Sequence, residues 1–527
     1  MDWKGFFNIL LTPPSIQSSG FTEIPSLSDR VTEELVFAVV GPVGSGCTKV
    51  AESLTKILSR DYGYEVFHRK LSDVIKESAS LVGEEPNKHL AGALRVDHLQ
   101  KVGNELRRAF GNSYLAAKAI EVIAEQREIE GFKNAQDGTP VAIRLRRLHI
   151  IDSLKHPAEL QLLRETYGDI FWLFGVFAPE QVRRSRLTHQ EGINPEDLNA
   201  IMLHDYKEDE EYGQAVRDTF FQSDFFVRND QANDEALNKV LERFVEILFG
   251  YPVQTPTLEE ASMYAGHAEA TRSACLSRQV GAVIVNASGE VIGLGRNDVP
   301  KYKGGLYGIE DGTNDHRCYK WEGKRCHNDA RKEKLYESTL RQIKSVKGVG
   351  DASDKDIIAA VRSTDIRGLI EFSRAVHAEM EAIISVARGG KPGLVGSTMY
   401  TTTYPCHSCA RHILASGISK VVYIEPYPKS LAIELHRDAI SEIESEVGNK
   451  LVFLQYSGVA PKNVLRLFKP VQPRKGVDGR LIDFNKESAQ PIVRVSLDDY
   501  STHEQHVVAK LVQDEKKVQE NRQPALL

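Results

Sequence analysis

Two short motifs carry most of the chemistry that this sequence offers: His377-Ala378-Glu379 and Pro405-Cys406-His407-Ser408-Cys409. One imidazole and two thiolates are donors that suit tetrahedral zinc, and three protein ligands with the fourth position left to water is the arrangement of a catalytic site. Glu379 need not touch the metal. Two residues from a ligating His377, its carboxylate is placed to take a proton from the bound water and deliver it to a leaving group. The flanking patterns AVHAEMEAIISVARGG and PCHSCARHILASG predict that each motif opens a helix. There the exposed backbone N–H groups and the positive dipole end stabilise thiolates. A bare His-x-Glu says little by itself. His267-Ala268-Glu269 repeats it with no Pro-Cys-x-x-Cys at a comparable distance, and is read as structural.

A second constellation lies near the N-terminus. Gly41-Pro42-Val43-Gly44-Ser45-Gly46-Cys47-Thr48 follows the phosphate-loop pattern GxxxxGK[ST] except that Cys47 stands at the lysine position. The glycines permit a loop whose N–H groups wrap phosphate at a helix N-terminus, and Thr48 can face Mg2+. Without the lysine ammonium, phosphoryl transfer is disfavoured and nucleotide binding is the expected role. Lys49 is about 100° further round the helix. Asp152, ending the strand LHIID, is a candidate Mg2+ contact or, on equal terms, a helix N-cap. Arg183, Arg184 and Arg186 read as lid contacts to phosphate or as a solvated helix face. A third group, His316, Cys318, Cys326 and His327, is a candidate second zinc site. Its C-x7-C spacing is not a standard ligand knuckle, and a surface loop is the competing reading.

The elements that position these groups alternate. Strand LVFAVV, a Gly-rich turn and helix KVAESLTKIL open a run of strand–helix units that implies parallel βαβ structure over residues 31–252. Residues 1–30, with TPPSIQSSG and IPSLSD, read as a leader or docking arm. From 253 to 470 a new unit begins with helix LEEASMYAGHAEATRSACLS and a hairpin across Ala287-Ser288-Gly289. Residues 301–370 interrupt it as a functional insertion whose second half is helical. Residues 471–527 are charged and polar and predict a loosely attached tail. The fold class is thus α/β with two large domains.

The formal net charge of −6 disfavours a polynucleotide track, while short clusters such as Arg144-Arg146-Arg147 suit phosphates on a small ligand. No stretch approaches the roughly 20 apolar residues of a membrane span. Close cysteine pairs in such a chain suit metal binding better than disulfides, and a cytoplasmic location is expected.

The His-x-Glu and Pro-Cys-x-x-Cys signature is that of zinc nucleobase deaminases. At these residues, over about 258–468, the chain resembles the cytidine and deoxycytidylate deaminase superfamily, and more closely its deoxycytidylate branch. Cys275 to Val285 (CLSRQVGAVIV) looks like that branch's first-strand entry, and Gly295-Arg296-Asn297 stands at its Gly-Tyr-Asn turn. The resemblance implies a three-layer α/β/α fold, Zn2+, and Asn297 holding sugar or base, with Arg278, Tyr427 and Lys429 as further sugar and phosphate contacts. One departure is Glu381, where the family often has Asn. The order of a P-loop nucleotide-kinase-like, doubly wound domain followed by such a deaminase is similar to the anti-phage dCTP deaminases. That likeness implies conversion of dCTP or dCMP to the uracil nucleotide, depletion of the dCTP pool, a homo-oligomer and an inhibitory RNA or protein. A polynucleotide cytosine deaminase and a nucleotide-sensing switch with a silent deaminase module stay open as alternatives.

Overall fold

The computed structural model describes residues 30–522 apart from 86–89, 131, 135–139, 190, 207–213, 231–232, 347–351 and 428. All but the last residue of the expected N-terminal arm lies outside them.

The first half builds strands β1 (Leu35–Val40), β2 (Glu65–Lys70), the short hairpin β3 (Phe132–Asn134) and β4 (Pro140–Ala142), then β5 (Arg147–Leu154), β6 (Phe171–Phe177) and β7 (Phe225–Arg228). Its main helices are α1 (Cys47–Tyr62), α2 (Tyr114–Glu130), α3 (Pro157–Tyr167), α4 (Glu180–His189) and α5 (Asp234–Phe249). All six residues of β1 are buried, because both faces of a parallel sheet are covered. Leu35, Phe37 and Val39 pack with Val50 and Leu54 of α1 and Leu241 of α5, whereas Val36, Ala38 and Val40 pack with Ile120 of α2 and Leu160 of α3. That alternation is the period of two of an extended strand, and it makes the sheet doubly wound.

The second half begins with α6 (Leu258–Thr271), capped by a reciprocal Thr257 and Glu260 box. Strands β8 (Gly281–Val285) and β9 (Val291–Arg296) form the expected hairpin. The insertion that follows carries α7 (His327–Ser345) and α8 (Asp354–Arg362), which share a small core of Tyr336, Ile357 and Val361. After it come α9 (Ala378–Gly389), β10 (Thr398–Thr403), α10 (His407–Ala415), β11 (Lys420–Glu425), β12 (Ile440–Ser441) and β13 (Leu451–Gln455). The sheet order is β12-β13-β11-β10-β8-β9, antiparallel only where β8 joins β10 and β9. Ala282, Ile284, Met399 and Val421 face Ala378, Ala382 and Ile413 of α9 and α10, while Val283, Tyr400 and Val422 face Met263 of α6. Helices thus cover both faces in three layers.

The halves are joined through backbone. Strand β14 (Gly458–Val459) leaves the second half and pairs antiparallel with β7, so the first sheet reads β14-β7-β6-β1-β5-β2. Buried Glu260 of α6 accepts the N–H of Val459 (2.9 Å) and pairs with Arg243 of α5 (2.7 Å).

The segment after 470 departs from the loose tail expected of it. It runs back over the first half, where Phe484 stacks on Tyr251 and Ile492 donates to the carbonyl of Leu248 (2.9 Å). Helix α11 (Leu497–Arg522) then lies along α2. Arg127 of α2 is buried between Glu34 (2.6 Å) and Glu504 of α11 (2.8 Å), and Tyr500 adds its hydroxyl to Glu34 (3.0 Å). Composition hid this because the buried face of α11 is partly charged and needs Arg127, far away in sequence, to be neutralised. The Arg144-Arg146-Arg147 cluster is likewise used within the fold: Arg144 and Arg146 pair with Glu33, Arg147 with Glu65.

Candidate active site

His377 and Cys406 are the N-cap residues of α9 and α10, both in extended backbone, so each points off a helix start rather than along it. Cys406 Sγ accepts the N–H of Cys409 (3.4 Å), the cap bond that folds Cys-x-x-Cys around one point. The seat of α9 is set by a glycine. A Cβ at Gly295 on β9 would stand 2.2 Å from the carbonyl of Ala378 and 2.4 Å from the nitrogen of Ala382, so only glycine lets the helix carrying Glu379 lie this close to the sheet. On the other side, the backbone of Val376 bridges to Asp298 just before the motif.

His377 Nδ1 is 3.4 Å from Cys406 Sγ and 3.4 Å from Cys409 Sγ. Zinc bonds of about 2.0 Å to nitrogen and 2.3 Å to sulfur at tetrahedral angles separate N and S by about 3.5 Å, so the spacing fits that ion. Among the described residues this is the one group of three or more His, Cys, Asp or Glu whose ligand atoms lie within 4.8 Å of one another. The three side chains share protons. Hydrogen bonding by Cys409, and then by His377, holds the Cys406 thiol down to about 4, the same contact drives Cys409 upward, and bonding to Cys406 raises His377 to about 9. Such a set exchanges protons readily for a cation. Glu379 is buried beside it, and burial pushes its carboxyl up to about 7.

A cavity of about 190 Å³ opens over His377, Glu379 and Cys406. Of the expected substrate contacts, Arg278, Asn297 and Tyr427 line it, with the Arg278 guanidinium 5.9 Å from the Tyr427 ring and 3.4 Å from Glu425. Lys429 packs instead near Gly368. The amide of Asn297 is committed to backbone: it donates to the Arg278 carbonyl (2.8 Å) and accepts from Val280 (2.7 Å). Glu381 is tied to Arg388 (3.0 Å), and in the other His-x-Glu copy Glu269 pairs with Arg272 (2.9 Å), in keeping with a structural role. His316, Cys318, Cys326 and His327 are not drawn into one ligand set. The His316 and His327 rings both lie against Trp321, and Cys326 sits 3.6 Å from Ser277 Oγ. The insertion does contribute to the cavity wall through Cys318, Cys326 and His327, and Arg374 joins them from the segment between the insertion and His377. Arg374 had no signal of its own in the sequence beyond standing three residues before His377.

At the phosphate-loop motif, Gly44 and Gly46 take left-handed φ of 78° and 87°, and α1 starts at Cys47. Thr48 Oγ1 donates to buried Asp152 Oδ2 (2.7 Å), which also meets His68 Nε2 (3.2 Å). Asp152 is therefore a partner of Thr48 within β5 and not a helix cap. Arg183 and Arg186 of α4 donate to the loop carbonyls of Val43 (3.4 Å), Gly44 and Ser45 (both 3.2 Å), and Arg184 pairs with Glu180. Lys49 turns outward to Asp234 (2.5 Å). Lys155, unremarked in the sequence, brings its Nζ to 3.3 Å from the Gly41 carbonyl at the mouth of the loop.

Residues 256–425 match the family model of the cytidine and deoxycytidylate deaminase zinc-binding region. The deaminase region is similar to the deoxycytidylate deaminase of Enterobacteria phage T2, at 49% identity over 55 residues, 10% of this chain and 29% of that relative's length. The chain thus spans under a third of that relative. The N-terminal half is similar to a UPF0200 protein of Methanosarcina barkeri, 25% identical over 226 residues, 42% of this chain and 98% of the relative. Among solved structures, the dCMP deaminase from the cyanophage S-TIM5 in apo form is 17% identical with a TM-score of 0.22, covering 38% of this chain and all of that one. No described helix is long and apolar enough to cross a membrane.

Proposed function

We propose that the chain hydrolyses the exocyclic amine of a free deoxycytidine nucleotide, dCTP or dCMP, giving the uracil nucleotide and ammonia. The observation that carries this reading is the His377, Cys406 and Cys409 triad at zinc spacing with buried Glu379 beside it, under a cavity. Zinc held by those three side chains supplies a water that is nucleophilic near neutral pH. Glu379 takes the proton of the attacking water and passes it to the departing nitrogen, acting as base and then as acid. Burial keeps bulk water from competing for that proton. Tyr427 and Arg278 border the base and sugar, and Asn297 fixes the turn that carries Arg278.

The phosphate loop, with Gly41, Gly44, Ser45, Gly46, Cys47 and Thr48, holds a second nucleotide in this reading, with Mg2+ at Thr48 and Asp152 and Lys155 standing in for the missing lysine. Its role is control of the deaminase rather than phosphoryl transfer. The shared strand β14 and the Arg243–Glu260 ion pair support coupling of the two halves. The resemblance to anti-phage enzymes of the same domain order supports antiviral depletion of dCTP by a cytoplasmic homo-oligomer restrained by an inhibitory RNA or protein.

The test is incubation of zinc-loaded protein with dCTP, dCMP, CTP, an adenine nucleotide and a cytosine-containing oligonucleotide, with uracil products read by chromatography. Uracil from the free deoxycytidine nucleotides is expected. Conversion of the oligonucleotide alone, or of nothing, overturns the reading.

A further inference from the structure

Among the described residues, the cavity above Glu379 has one arginine without a counter-charge. Arg278 faces Glu425, and nearby Arg317 is held by Asp315 (2.9 Å). Arg374 lines the same cavity, is half-buried, and has no carboxylate partner among the described residues. Its guanidinium carbon lies 3.7 Å from the Trp321 ring centroid, one N–H goes to the carbonyl of His316 (3.2 Å), and the side chain also hydrogen-bonds to Cys318. Stacking on an indole offsets part of the desolvation of such a charge and fixes its plane. The remaining N–H groups then lie along a preset edge, which matches the paired oxygens of a phosphate.

Two neighbours agree. His327 lines the cavity with a buried Nε2 that has no hydrogen-bond partner, and its ring lies 5.4 Å from Trp321. His327 is also the first residue of α7, whose unpaired N–H groups favour an anion at that end. Arg374 stands three residues before His377, and three residues of extended chain span at most about 10 Å. That is the scale on which one nucleotide reaches from base to phosphate.

We infer that Arg374, stacked on Trp321 and assisted by His327, binds the phosphate of the nucleotide whose base lies at Glu379, so that the insertion selects nucleotides over nucleosides. The inference rests on the deamination reading for the position of the base. It adds to it a phosphate subsite built by residues 316–327 and 374.

The test separates the two. In zinc-loaded Glu379→Gln protein, whose turnover is slowed about 10²- to 10⁴-fold, the Kd of dCMP and of deoxycytidine is measured by calorimetry with and without Arg374→Ala. Loss of a charged hydrogen-bonded contact corresponds to a weakening of about 10- to 150-fold. That loss is expected for dCMP, with deoxycytidine unchanged within about twofold and an intermediate value for Arg374→Lys, which keeps charge but not the planar fork. Equal weakening of both ligands, or an unchanged dCMP Kd, overturns the subsite. Zinc content and melting temperature of each variant show whether the fold survived, and Trp321→Ala, which removes the stack while leaving the arginine, is expected to weaken dCMP selectively. If wild-type protein deaminates nothing while the dCMP binding still depends on Arg374, the subsite stands and the deamination reading falls.

Discussion

Asn297 holds Arg278 by its backbone: the Asn297 amide donates to the Arg278 carbonyl at 2.8 Å and accepts the N–H of Val280 at 2.7 Å. One buried side chain thereby sets the turn at the cavity wall. Asn297→Ala leaves both backbone groups unpaired, at about 1–3 kcal/mol each. A lower melting temperature is expected, together with a KM for the cytosine nucleotide that rises more than kcat falls. Unchanged stability with full activity would refute the positioning role.

Ligand and proton carrier separate by metal content. His377→Ala or Cys409→Ser is expected to lose zinc, measured by elemental analysis, and all turnover with it. Glu379→Gln is expected to keep the metal and lose about 10²- to 10⁴-fold in kcat. A Gln variant that retains wild-type turnover contradicts the assignment.

In the proposed nucleotide-binding reading, Lys155 beside the Gly41 carbonyl supplies the cation that the motif lacks. Lys155→Met is expected to weaken nucleotide binding by about tenfold or more, the scale of one charged hydrogen bond. Cys47→Ala should change it little. Fluorescent nucleotide titration of the two variants distinguishes them, and the reverse ranking would return the role to the motif helix.

Arg127 is enclosed by Glu34 and Glu504, with side chains 5%, 1% and 2% exposed. Removing one partner strands a buried charge at about 3–5 kcal/mol, whereas replacing a pair by apolar groups of similar volume is often neutral. Denaturant melts should therefore show Glu504→Ala far below wild type, and Arg127→Met with Glu504→Leu and Glu34→Gln closer to it. If the single variant melts normally, α11 is not held by this network.

His149 is buried against Phe67, and desolvation lowers its imidazole from 6.5 to about 4. The unfolded chain takes up this proton first as pH falls. The contribution of the neutral ring is thus fully present above about 6.5 and is lost as pH drops toward 4, up to about 3 kcal/mol for a shift of this size. His149→Phe is expected to flatten the stability profile in that window. A difference curve with no slope between pH 6.5 and 4 would show that the ring is not buried neutral.

The legible parts of this chain were those coded locally. The strand–turn–helix of LVFAVV and α1, the hairpin of β8 and β9, and the two helix starts bearing His377 and Cys406 follow from apolar period, glycine turns and cap positions. What escaped depends on partners far away in sequence. Arg374 gains its meaning from Trp321, a residue of the insertion. Asp152, which the sequence offers as a Mg2+ contact or a helix N-cap, meets Thr48 only because β5 lies beside β1. The segment after 470 is polar in composition, yet Leu497, Tyr500, Glu504 and Leu511 recur on one side of a helix and are buried. Reading that stripe required accepting a buried glutamate, which only Arg127 justifies.

The crossing of Gly458–Val459 into the first sheet has a practical consequence. A gene split near residue 252 would leave Phe225–Arg228 as a bare edge on one product and strip the other of the surface its final strand was shaped for. The halves are therefore expected to be produced, inherited and inactivated together, as one cooperative unit instead of two modules on a tether.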